Sequence, residues 1–403
     1  MTIYHAASAD FAGQIVLVRA DFNVPLDGVG TDTVSIRDDI RIRRTIPGLQ
    51  QLLAKGARLV LMSHFGRPKG KTVPEMSLAP IAKHLESLLG EAVTFLPNLL
   101  AAENVQKVRS DTNMRVFLLE NLRFHPGEEA NDAGFAAVLA RLADSYVNDA
   151  FSCSHRAHAS IAAITDLLPA YAGATLSAEL EALSMALEAP KRPVAAVVGG
   201  AKISTKLDVL THLISRTDKL ILGGGMANTF LAAQGVDMGA SLMEADMIAT
   251  AQEILEKAAS QNCEILLPVD GVAAKEFAAN ADTHIVQNGA LDPNEMVLDL
   301  GPASVAAAEA ALGDCKTLVW NGPMGAFEIP PFDMATNALA GAAAKLTASG
   351  QLVSIAGGGD TLAALKAAGV SDEMSYLSLA GGAFLEWLEG KSLPGIAALE
   401  DAH

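Results

Sequence analysis

The chain has 403 residues, more than one core comfortably serves, so two domains of about 150–200 residues are expected. Half of it is hydrophobic and 5% aromatic, which suits closely packed α/β layers, and its net charge of −17 argues against nucleic acid or an anionic membrane as partners. Cys153, Cys263 and Cys315 lie too far apart for a disulfide framework, and no apolar run approaches the roughly 20 residues that span a bilayer.

The first residues, "MTIYHAASADFAGQ", lack the basic and apolar regions of an export signal, so a cytoplasmic protein is expected. The charge is uneven. Residues 1–190 carry 17 Lys+Arg against 21 Asp+Glu, and residues 191–403 carry 12 against 25. Positive charge is therefore concentrated in the first half.

Along the whole chain, strand-like apolar runs alternate with helical stretches, the pattern of parallel sheets. The residues that follow each run are informative. "IVLVRADFNVPL" places Asp21 and Asn23 after a strand, and "LVLMSHFGRP" places His64 and Arg67. Between them, "SIRDDIRIRRTIP" spaces Arg37, Arg41 and Arg44 by four and three, which predicts one helix face. "RVFLLENLRFHPGEE" then supplies Asn121 and Arg123, and "YVNDAFSCSHRAHAS" supplies His155, Arg156 and His158. Loops rich in His, Arg and Asn at one sheet edge describe a pocket for a small anion, since the planar guanidinium binds phosphate or carboxylate bidentately. In the last loop Cys153, His155 and His158 have a rival reading as metal ligands, although Arg156 among them would repel a cation.

In the second half the strand ends become glycine. "VAAVVGGAK" gives Gly199, Gly200 and Lys202; "KLILGGGMANTF" gives Gly223 to Gly225. "LVSIAGGGDT" gives Gly357, Gly358, Gly359 and Asp360, and "YLSLAGGAF" gives Gly381 and Gly382. Glycines between strand and helix bring backbone N–H groups close to phosphate. Neither G-x-x-x-x-G-K-[ST] nor a post-strand G-x-G-x-x-G occurs, so this is not a P-loop or a standard dinucleotide site. Lys202 and Lys206 are expected on the first turn of the following helix, and Asp360 is placed to bind Mg²⁺ directly or through water. An anion pocket in one half and a polyphosphate site in the other point to phosphoryl transfer. No general base stands out, which suits an acceptor carboxylate, already ionised at neutral pH. A two-domain solute-binding protein and a kinase for another carboxylate are the competing readings.

"VRADFNVPL", "LMSHFGRPKG", "LLENLRFHPGEEAND", "SHRAHAS", "GGAKISTK", "LGGGMANTF", "LDLGP", "WNGPMGAFE" and "GGGDT" together resemble phosphoglycerate kinase, in that family's order and over nearly the whole chain. The resemblance implies reversible transfer between 1,3-bisphosphoglycerate and ADP, giving 3-phosphoglycerate and Mg-ATP. It implies two doubly wound, Rossmann-like parallel-sheet domains facing each other across a cleft and joined by an interdomain helix, with hinge bending, in a monomer. The 3-phosphoglycerate domain would be 1–171 with a return over 390–403, the helix 172–189, and the nucleotide domain 190–389.

By the same resemblance, Asp21, Phe22, Asn23, His64, Phe65, Gly66, Arg67, Arg123 and Arg156 would bind the glycerate substrate. Arg41, Lys202, Lys206, Gly359 and Gly382 would act on the transferring group, while Arg37 and Arg44 match no ligand. Gly199, Gly223, Gly224, Gly301, Pro323 and Glu328 would form the nucleoside pocket, and Gly357, Gly358, Gly359, Asp360 and Thr361 would bind phosphate and metal. The chain departs from the family where Leu379-Ala380 replace a hydroxyl residue and a glycine, and where "FSCSHRAH" stands for F-G-T-A-H-R-A-H. The loop "LDGVGTDTV" carries no readable chemistry.

Overall fold

The computed structural model describes residues 3–28 and 34–402, so residues 29–33 of the "LDGVGTDTV" loop lie outside the described part. The chain forms two compact units, Met1–Leu180 with Ser392–His403, and Glu181–Lys391.

The first unit is built on six parallel strands: β1 (Ile15–Arg19), β2 (Arg58–Met62), β3 (Val93–Leu96), β4 (Val116–Leu119), β5 (Ser145–Asn148) and β6 (Ala170–Ala172). Their spatial order is β3-β4-β2-β1-β5-β6. Every residue of β1 is buried, as expected of a parallel sheet covered on both faces. Helix α1 (Ile40–Ala54) lays Ile42, Ile46, Leu49 and Leu53, at helical spacing, onto Leu59 and Leu61 of β2. The order reverses at β1, so the carboxyl ends of β1 and β5 flank a switch point where α/β sheets open a crevice.

One expectation is corrected here. Arg37 is not on the helix: α1 begins at Ile40 after Asp39, and Arg37 instead pairs with Asp27 of a small hairpin. Only Arg41 and Arg44 share the helix.

The second unit has its own six-stranded parallel sheet: β7 (Val194–Val198), β8 (Lys219–Leu222), β9 (Glu264–Leu266), then β13 (Thr317–Asn321), β14 (Val353–Gly357) and β15 (Tyr376–Ser378). Between β9 and β13, the strands β10 (Asp270–Ala274), β11 (Thr283–Gln287) and β12 (Met296–Leu300) form a separate antiparallel sheet. The main sheet runs β9-β8-β7-β13-β14-β15, the doubly wound order with its switch point between β7 and β13. Trp320, Leu339 and Leu365 lie in its core.

Helix α2 (Ala174–Leu183), continued by a π turn over Ser184–Glu188, contains the point at which the units divide. Buried Asp149 caps it, accepting from the Thr175 and Leu176 amides at 2.6 and 3.1 Å. A second correction concerns the lysines. The helix after β7 is α3 (Leu207–Ile214), with Lys206 at its N-cap, so Lys202 sits in the preceding loop and not on a helical turn. No helix among the described residues is long and apolar enough to cross a membrane.

Candidate active site

At the carboxyl edge of the first sheet the polar groups converge on Asp21. This buried carboxylate accepts from the Arg41 guanidinium, from the Ser152 hydroxyl at 2.6 Å and from the Asn23 amide at 3.1 Å. Burial opposes its charge, yet the Arg41 guanidinium and the hydrogen bonds from Ser152 and Asn23 hold the carboxyl below its ordinary value. Burial also pushes the His64 imidazole well below its usual value; Asp21 opposes this, while Arg19, Arg123 and Arg41 add to it. His64 is therefore neutral at physiological pH.

Arg19, fully buried at the end of β1, organises this edge. Its Nη2 lies 3.2 Å from His64 Nδ1, Nη1 donates to the Ala20 carbonyl, and Nε donates to Ser160 Oγ at 3.0 Å. Ser160 in turn donates to the buried Glu128 carboxylate at 2.6 Å, which gives the arginine its counter-charge.

The loop after β2 is held from two sides. Asn23 Oδ1 accepts from the Gly66 amide at 3.0 Å, and Asn121 takes both the amide and the carbonyl of Phe65. Arg123 donates to the Gly66 carbonyl at 2.9 Å. Gly66 has φ +59°, and an added Cβ would come within 2.9 Å of Met76 Sδ, so only glycine fits.

Direct hydrogen bonds thus join Asp21 with Arg41 and Asn23, Asn23 with Gly66, and Gly66 with Arg123. Phe22 is a core residue and Phe65 packs partly buried beside it. Arg67 and Arg156 are exposed, and Arg156 is close enough to His158 to help Arg123 and Arg19, after burial, lower that imidazole to about 4. Sequence reasoning missed Arg19 and Ser152 as site residues. A charged residue closing the run "IVLVR" was the available signal for the first.

At the switch point of the second unit, the loops after β7 and β13 touch backbone to backbone. A Cβ on Gly199 would collide with the Pro323 carbonyl, and one on Gly223 would approach Met324 Cα to 2.8 Å. Beside them opens a cavity of about 340 Å³. Its lining includes Gly224, Pro323, Glu328 and Asp360 with apolar Leu242, Phe277 and Met324. Gly301 caps the helix Pro302–Gly313 against Asp270, which itself lines the cavity. Asp299, another lining residue, is buried and pushed up to about 7 by that burial, although it accepts from the Leu300 and Ala335 amides.

The lysine and the glycine loop share one partner. Lys206 donates its ammonium to Asn321 Oδ1, and Asn321 Nδ2 donates to the Gly357 carbonyl at 2.8 Å. Burial lowers the Lys206 pKa to about 8, with Asp360 partly offsetting it. Gly358, at φ +100°, leaves no room for a Cβ beside Asn321 Nδ2. Gly359 and Asp360 are exposed at the start of helix α6 (Gly359–Ala367, after α4, Gly224–Ala233, and α5, Met334–Ala348). Thr361 is buried and accepts from the Gly322 amide at 2.8 Å. Lys202 is exposed, and Gly382 opens α7 (Gly382–Leu388). The arrangement can cradle an anionic chain against backbone amides and one half-buried ammonium.

The family model described as phosphoglycerate kinase matches residues 6–391. The chain belongs to the phosphoglycerate kinase family. It is 55% identical over 392 residues to the phosphoglycerate kinase of a Ruegeria species, covering 97% of this chain and 98% of the relative. It is 52% identical over 400 residues to that of Caulobacter vibrioides, covering 99% and 100%. The structure of phosphoglycerate kinase from Coxiella burnetii superposes with a TM-score of 0.91 at 41% identity, covering 99% of both chains. This kinase catalyses the glycolytic conversion of 1,3-bisphosphoglycerate and ADP to 3-phosphoglycerate and ATP, with ATP and ADP as co-substrates.

Proposed function

We propose that the two units divide the substrates between them: Met1–Leu180 with Ser392–His403 binds 3-phosphoglycerate or 1,3-bisphosphoglycerate, and Glu181–Lys391 binds the nucleotide. The observation that carries this is the half-buried Lys206 ammonium, held by Asn321 against the Gly357 loop beside the cavity. Such a cation needs a phosphate, and the first unit has no equivalent glycine cradle at its strand ends among the described residues.

In the first unit, Asp21 and Asn23 face the glycerate hydroxyl and carboxyl region, while neutral His64 with Arg67, Arg123 and Arg156 takes the 3-phosphate. In the second, Gly199, Gly223, Gly224, Gly301 and Pro323 shape the nucleoside site and Glu328 accepts from the ribose. The acceptor carboxylate is ionised at neutral pH, so no side chain has to remove a proton. What remains is charge neutralisation, for which the first unit offers Arg41 and the second offers Lys202, Lys206 and the backbone N–H groups at Gly358, Gly359 and Gly382.

Asp360 suits a nucleotide-borne Mg²⁺, which uses one or two carboxylates plus substrate phosphates and does not need a full protein cage. It is exposed at the cavity rim and close enough to Lys206 to affect its charge. When bound, the ion supplies neutralisation of phosphate oxygens. We read the protein as a cytoplasmic monomer without nucleic-acid partners, consistent with its charge of −17. The deciding test is a coupled assay of ATP formation from 1,3-bisphosphoglycerate and ADP, alongside calorimetric titration with ADP and with 3-phosphoglycerate. Absence of turnover with both ligands bound would remove the assignment of roles.

A further inference from the structure

Ser152 donates to Asp21 Oδ2 at 2.6 Å, and the same oxygen accepts from Arg41. Oδ1 is occupied by the Asn23 amide at 3.1 Å. We propose that Ser152 is a positioning residue for phosphoryl transfer, keeping the Asp21 carboxylate satisfied while Arg41 turns from it to the group in transit. This rests on the role given to Arg41 above.

A carboxylate out of water loses stability when a charged partner leaves it, because nothing then compensates its charge. An arginine paired with Asp21 alone would therefore be held back from the substrate. A hydroxyl already donating to the shared oxygen lowers that cost, because the charge retains a close donor when the guanidinium moves. Ser152 is well fixed for this. It lies in the 3₁₀ turn Phe151–Cys153 directly after β5, closed by the Cys153 amide to the Ala150 carbonyl at 3.0 Å. It also stands where "FSCSHRAH" departs from the family pattern, at a glycine that has no hydroxyl.

The other groups facing Asp21 are Arg41 of α1, His64 after β2, Arg19 of β1 and the Cys153 thiol. His64 and Cys153 are neutral at physiological pH, Arg19 is already committed to Ser160, His64 and Ala20, and burial raises the Cys153 thiol. Ser152 is thus the small neutral donor on the contested oxygen.

The test compares S152A, S152G and S152T with the parent and with R41A, in steady-state ATP formation over a range of pH. S152A and S152G should lower kcat about tenfold, the loss of one hydrogen bond to a charge, with KM for ADP and the melting temperature unchanged. S152T should restore kcat. The acid limb of the pH profile should move to higher pH in S152A, since Asp21 loses a donor to its charged form. In an R41A background S152A should add nothing. Parent-like kcat in S152A with R41A crippled would overturn the role of Ser152 alone. Parent-like turnover in R41A would overturn the role of Arg41, and the exchange of partners with it.

Discussion

Arg19 Nη2 lies 3.2 Å from Nδ1 of His64. A guanidinium has donors only, so Nδ1 must present its lone pair and the proton of the neutral ring must sit on Nε2. The ring's free nitrogen is then a hydrogen-bond donor, the form that binds a phosphate oxygen. In protein labelled with ¹⁵N-histidine, His64 should show an unprotonated Nδ1 and a protonated Nε2 that persist as pH falls through 6.5, the ordinary value from which it is displaced. Arg19→Lys should weaken 3-phosphoglycerate binding about tenfold, one charged hydrogen bond's worth, with nucleotide affinity intact. The opposite tautomer, or a ring titrating normally, would refute this.

Arg41→Ala should reduce turnover by about 10³–10⁵, by analogy with catalytic arginines. That is roughly 4–7 kcal/mol of barrier. Affinities for both ligands and the unfolding temperature should change far less. A variant keeping a third of parental turnover would reduce Arg41 to a partner of Asp21.

Lys206 carries a pH signature. Its folded pKa is lowered to about 8, so the free protein loses this charge as pH rises through 8. Nucleotide phosphates select the ammonium, so ADP affinity should be flat below that pH and fall by up to about tenfold per unit above it. Binding near pH 8.5 should take up a proton, seen by calorimetry in buffers of different ionisation enthalpy. Lys206→Arg, permanently charged, should abolish the dependence. A flat affinity in the parent across this range would contradict the burial argument.

The division of substrates is checked by crossing variants and ligands. His64→Ala should weaken 3-phosphoglycerate and spare ADP, whereas Glu328→Ala should do the reverse. Equal loss of both ligands in either variant would count against two separate sites.

Gly341 lies within α5, has no neighbour within 4 Å of an added Cβ, and has no positive φ. Gly341→Ala should therefore stabilise the protein by about 0.5–1 kcal/mol through helix propensity and unfolded-state entropy. Gly199→Ala, by contrast, drives a methyl into the Pro323 carbonyl and should abolish nucleotide binding. Urea unfolding read with ADP titration would settle both; a lower midpoint for the Gly341 variant would go against the first.

The strand ends were legible because two-sided burial writes each strand as an apolar run, and a loop must break it. His64, Asp21 and the glycine clusters announce themselves at those breaks. Helix starts were less legible. Three arginines at helical spacing suggested one face, but Asp39 takes the cap position and leaves Arg37 to the hairpin. The chain after Gly200 likewise winds through a loop before Lys206, so a spacing of four did not mean a turn of helix. Least visible were Arg19 and Asn321, whose roles depend on partners 45 and 115 residues away. Residue type alone gives no hint of such distant pairings.

The parallel register sets Arg19 opposite both Met62 and Asn148. From this line the chain runs on to Asp21 after β1 and His64 after β2, and to the turn that carries Ser152 after β5. Because side chains alternate faces along a strand, sliding β1 by a single residue would send Arg19 to the opposite layer and carry Asp21 out of line. This edge acts as a vernier for the sheet: it reads true at one alignment only. A refolding chain cannot hold a half-working version of this edge, so regained turnover should report correct strand pairing more strictly than regained secondary structure does.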